Sequence, residues 1–124
     1  RNDPVPGGLQ VKARDGTWID APGIADTFII NIGDLLMRWT NDRLVSTLHR
    51  VAVPPLDAGA HARRLSIGYF VGPRYNAMVE CLPTCHGPGN PPKYEPVSVH
   101  DYRTKRFAAG AGDNKPFTPP GKVA

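Results

Sequence analysis

The stretch from Thr47 to Gly72, TLHRVAVPPLDAGAHARRLSIGYFVG, constrains the fold more than any other. It reads as two β-strands joined by a long loop. Successive side chains on a strand point to opposite faces, so His49, Val51 and Val53 share one face. By the same count Arg64, Ser66, Gly68 and Phe70 share a face, and Leu65, Ile67, Tyr69 and Val71 line the other. The second face is continuously apolar and is expected to be core. The first places a guanidinium beside a hydroxyl, with glycine leaving space next to them. Such a pair suits an anionic carboxylate: the guanidinium fork donates two hydrogen bonds and the hydroxyl a third.

The rest of the chain carries similar short strand patterns. Leu9 to Ala13 alternates apolar and polar residues, and Arg14-Asp15-Gly16-Thr17 is a turn that favours a hairpin with Trp18-Ile19-Asp20. Asp26 to Ile32 is β-rich and bounded by Pro-Gly and Gly-Asp, a strong strand pattern. Leu35 to Asn41 fits a helical turn or a strand equally well. Ala77 to Cys81 reads as a further strand. Cys85 to Pro96 is rich in Pro and Gly, and Val97 to Ala109 fits a helix with Ser98 as its N-cap. Gly110 to Ala124 lacks hydrophobic periodicity and is expected to hang free. Short strands with frequent turn signals point to an all-β barrel or double sheet.

Composition narrows the function. The 124 residues suffice for one modest domain, and 40% hydrophobic with 21% charged content is ordinary for a soluble protein. The net charge of +4 is spread along the chain, with one denser patch at Arg103, Lys105 and Arg106 that fits the polar face of a terminal helix. A nucleic-acid interface would need a concentrated basic stripe with aromatic platforms, so nucleic acid is not an expected partner. No apolar run approaches the ~20 residues of a membrane span, so a membrane is not expected either. Cys81 and Cys85 do not make a secreted disulfide framework, and a reducing, cytoplasmic location follows as the expectation. With His86 they invite a zinc reading, but three donors in six residues without a second cluster make a poor site. A local disulfide or two free thiols fits better. Trp18 and Trp39 read as packing residues, and His61 as a solvated loop residue.

The segments GLQV, WIDAP, FIINIGD, RWTNDRLVSTLHRV and RRLSIGYF, in that order, resemble the C-terminal half of the Fe(II)- and 2-oxoglutarate-dependent oxygenases, in the isopenicillin N synthase-like branch. The likeness spans Gly7 to Val71 and continues loosely to Pro83. It implies a double-stranded β-helix, or jelly roll, represented by its later strands only, with a C-terminal helix and flexible tail. Residues 1–83 would be the late part of the oxygenase domain, 84–96 a linker, 97–109 the helix and 110–124 the tail. The resemblance implies that His49 is the distal iron ligand, that Arg64 and Ser66 clamp the far carboxylate of 2-oxoglutarate, and that Phe70 contacts substrate. A facial triad of two histidines and a carboxylate leaves open positions on iron for the 2-oxo acid and O₂.

Two departures from the family pattern stand out. The loop between His49 and Arg64 is longer than is usual by about five residues, an insertion that the slow growth of loop-closure entropy tolerates. No H-x-D or H-x-E pair, the other part of the family's iron site, occurs in the sequence. The expectation is therefore a part of an oxygenase that oxidises, by default hydroxylates, a small organic substrate while converting 2-oxoglutarate to succinate. This chain alone would be inactive. The missing N-terminal part of the same domain, or a second chain, would complete it. The alternative is a non-catalytic jelly-roll module that binds a carboxylate ligand or a partner protein.

Overall fold

The computed structural model describes residues 8–52 and 66–111. These fall into two compact units, the first formed by 8–31, 46–52 and 66–70, the second by 32–45 and 71–111.

The first unit is built on a three-stranded antiparallel sheet of β1 (Leu9–Lys12), β2 (Trp18–Asp20) and β3 (His49–Val51), in the order β2-β1-β3. The hairpin between β1 and β2 closes on the Asp-Gly turn. Gly16 adopts a φ of 90°, a left-handed conformation that glycine enters without steric penalty. Asp15 accepts hydrogen bonds from the Thr17 backbone N–H at 2.9 Å and hydroxyl at 2.7 Å, and these bonds hold its carboxyl below its ordinary pKa. The register places Val11 opposite both Ile19 and His49, and Leu9 opposite Val51. Opposed residues of an antiparallel pair share a face. One face therefore carries Leu9, Val11, Ile19, Val51 and His49, and the other carries Gln10, Lys12, Trp18, Asp20 and Arg50.

In the second unit, α1 (Asp34–Trp39) resolves the segment that fitted helix and strand alike. It stops in a Schellman motif: Asp42 N–H bonds to Met37 O at 3.0 Å and Asn41 N–H to Arg38 O at 3.2 Å. Asn41 takes the left-handed position, with φ 52°, and Asp42 follows at 67°. β4 (Met78–Val79) pairs with β5 (Val97–Ser98), which runs directly into α2 (Val99–Ala111). Ser98 Oγ accepts the Asp101 N–H at 3.0 Å, an N-cap bond. The core holds Val79, Cys85, Tyr94, Val99 and Tyr102.

Four expectations need correction. Asp26 to Ile32 forms no strand, and Asp26 sits at φ 59°. Ser66 to Val71 likewise carries no strand pairing; Arg63 to Leu65 lie outside the described residues. The apolar face expected to be core is open to solvent, with Ile67 84% and Tyr69 90% exposed. The reason is the same in each case. A strand is stabilised by its neighbours, and no ladder among the described residues includes these segments. Finally, residues 84–96 are more than a linker. Pro83–Cys85 forms a 3₁₀ turn, and Cys85 and Tyr94 are buried. The tail beyond Ala111 lies outside the described residues.

Candidate metal and co-substrate site

His49 is the first residue of β3. Its imidazole projects from the apolar face of the sheet, beside Val11 on β1. Nδ1 lies 3.2 Å from the Thr47 backbone carbonyl oxygen. That carbonyl can only accept, so the contact calls for a proton on Nδ1, and in the neutral ring the lone pair is then on Nε2. Backbone carbonyls commonly orient metal-binding histidines in this way. The residue is exposed. His49 thus fits one ligand position of a metal centre.

The remaining site residues come from a second segment. Ser66 and Phe70 are both exposed, Phe70 to 95%. The Phe70 ring turns back along the chain: a Cβ at Gly68 would meet it at 3.6 Å. Arg64 lies outside the described residues, as does His61. Among the described residues no three His, Cys, Asp or Glu side chains are grouped to hold a metal ion. This applies to Cys81, Cys85 and His86 as well. Both cysteines are free thiols. Burial, with neighbouring Cys85, pushes the Cys81 thiol up. A shallow cavity of about 370 Å³ borders Glu80, Cys81, His86 and Tyr94, and holds none of the site residues read from the sequence.

Sequence reasoning missed the polar framework of the second unit. Arg38 on α1 is 3% exposed. Its guanidinium lies 4.7 Å from the Tyr94 ring centroid and 5.6 Å from that of Tyr102, and donates to Glu95 O at 2.8 Å. The Tyr102 hydroxyl donates to Asp34 Oδ2 at 2.8 Å, and the Tyr94 hydroxyl to Asp42 Oδ1 at 2.5 Å. Burial, followed by the hydrogen bond to Asp42, pushes Tyr94 up to about 12. Burial and Asp34 raise Tyr102 as well. The buried Asn41 amide donates to Cys85 O and Pro91 O, both at 3.1 Å, and accepts the Lys93 N–H at 2.9 Å. The sequence signal was weak: a polar Thr-Asn-Asp run directly after an apolar helical turn.

Comparison with known proteins supplies the class. The model of the 2OG-Fe(II) oxygenase superfamily matches residues 1–73. Kihadalactone A synthase LFS of Citrus sinensis is 36% identical over 110 residues, covering 86% of this chain and 31% of that protein. The 2-oxoglutarate-Fe(II) type oxidoreductase hxnY of Emericella nidulans is 38% identical over 95 residues, covering 76% and 26%. Among solved structures, a full-length Neurospora crassa protein in complex with alpha-KG superposes with a TM-score of 0.68 at 36% identity, over 85% of this chain and 32% of that one. The same Neurospora crassa protein is also known with alpha-KG and thymine. The chain belongs to the 2OG-Fe(II) oxygenase superfamily. It spans about a third or less of the length of these relatives.

Proposed function

We propose that this chain forms the late strands of a jelly-roll oxygenase domain that hydroxylates a small organic substrate while 2-oxoglutarate is decarboxylated to succinate. One observation carries this reading: His49 stands on the apolar face of its sheet with Nδ1 bonded to Thr47 O, which leaves Nε2 as the nitrogen available to a metal. The remaining ligands, a second histidine and a carboxylate, come from the part of the domain that this chain does not span. The chemistry a bound Fe(II) supplies is dioxygen activation coupled to oxidation of the 2-oxo acid.

The chain's own residues bind and orient. His49 donates the Nε2 lone pair. The Arg64 fork and the Ser66 hydroxyl hold the far carboxylate of 2-oxoglutarate, which fixes its keto-acid end in one orientation. Phe70 offers an apolar surface to the substrate and keeps water from it. A small organic substrate is supported by the thymine and 5-formyluracil held by the Neurospora crassa protein. No helix among the described residues is long and apolar enough to cross a membrane.

Completion of the domain is supported by the exposure of Phe28, Ile30, Ile67, Tyr69 and Val71. Burying each such side chain is worth roughly 1.5–3 kcal/mol. The test is Fe(II)-dependent succinate formation from 2-oxoglutarate by the protein with its whole oxygenase domain. Arg64→Ala is expected to raise the 2-oxoglutarate requirement at least tenfold, a loss of about 1.4 kcal/mol of binding or more. An unchanged requirement in that variant removes Arg64 from the site. Absence of Fe(II)-dependent succinate formation overturns the functional reading.

A further inference from the structure

On the face of the first sheet opposite His49, one continuous contact joins all three strands. Arg50, Gln10 and Asp20 stand side by side in register on β3, β1 and β2. Arg50 donates its Nε–H to Gln10 Oε1 at 2.8 Å, and Gln10 donates its Nε2–H to Asp20 Oδ1 at 2.8 Å. The Arg50 guanidinium also reaches across β1 to lie 4.1 Å from the Trp18 ring centroid on β2. From these contacts we infer that Arg50 is the positioning residue for metal ligation by His49, a proposal that rests on His49 being a ligand.

The argument is one of register. β3 is three residues long and, among the described residues, pairs with β1 alone. The pairing continues one bond past each end, with Lys12 N–H donating to Leu48 O at 2.8 Å and Ala52 N–H to Gly8 O at 2.5 Å, and a one-residue slip along this ladder would turn every side chain to the other face. His49 would then leave the apolar face. Arg50 is the next residue and necessarily faces the other way. Its planar fork bonds Gln10 and covers Trp18 together, and both contacts are made with Arg50 opposite Gln10. The same alignment sets His49 opposite Val11. Lysine retains the charge but has neither the Nε–H nor the flat stacking surface.

The test uses the protein with its whole oxygenase domain, titrated anaerobically with Co(II) as the probe and followed by its visible ligand-field bands. Arg50→Ala and Gln10→Ala are each expected to weaken Co(II) binding by about tenfold or more, as loss of an orienting partner does. Both should alter the bands of the bound ion, and Arg50→Lys should not restore them. A residue that merely stabilises the sheet would leave the bands of the folded fraction unchanged. His49→Ala is the control and should abolish the wild-type bands. Wild-type affinity and bands in Arg50→Ala overturn the positioning role while leaving His49 as ligand; if that variant does not fold, the same result in Gln10→Ala does so. Wild-type bands in His49→Ala overturn both readings.

Discussion

His49 Nδ1 lies 3.2 Å from the carbonyl oxygen of Thr47, two residues earlier on the same chain. The bond costs no distant partner and comes with the backbone, so it orients the imidazole by itself. It predicts the Nδ1–H tautomer for His49 in metal-free protein. Ring-nitrogen NMR shifts check this directly, and an Nε2–H tautomer would contradict it.

Asn41 carries two tasks, a left-handed backbone position and three hydrogen bonds to chain far away in sequence. Asn41→Ala forfeits both, and should destabilise the second unit by about 2–4 kcal/mol in urea unfolding. Asn41→Gly relieves the backbone and should recover about 1 kcal/mol of that. Wild-type stability in the glycine variant would show that the side-chain bonds contribute nothing.

The two buried phenols make the second unit sensitive to alkali. Each has a folded-state pKa raised by burial, Tyr94 to about 12. Protons are then held more tightly in the folded than in the unfolded protein. The stabilising contribution is complete below the unfolded value of about 10 and is lost as pH rises through about 12. Urea midpoints should fall across that window, and should fall less steeply in Tyr94→Phe. An equal slope in that variant would contradict the assignment.

The exposed apolar residues Phe28, Ile30, Ile67 and Tyr69 should make the isolated 124-residue chain prone to associate. Ile67→Lys is expected to reduce its association, measured by light scattering. In the whole oxygenase domain the same change should destabilise by about 2 kcal/mol or more, since it buries a charge in place of an apolar side chain. Equal stability there would place Ile67 outside the domain's core.

What could be read from the sequence was what is local. The Asp15-Gly16 turn, the alternation that puts His49 beside Val51, and the Ser98 cap each depend on residues within a few positions of one another. Asp26 to Ile32 and Ser66 to Val71 carried β-forming residues, yet pairing needs a neighbouring strand, which composition cannot supply. Arg38, Tyr94 and Tyr102 escaped notice for a related reason. Their bonds join residues 52 to 68 positions apart, and nothing local marks such a pair. The reading of Arg64 and Ser66 as a carboxylate clamp takes its weight from the family resemblance, because an Arg-x-Ser triplet is too common to mean much alone.

Whether His49 binds the metal is measured most directly by equilibrium Fe(II) binding, under anaerobic conditions, to the protein with its whole oxygenase domain. The wild-type should bind one Fe(II), and His49→Ala should weaken that binding by about a hundredfold or more, a loss of about 2.7 kcal/mol. Unchanged Fe(II) affinity in His49→Ala would contradict the assignment.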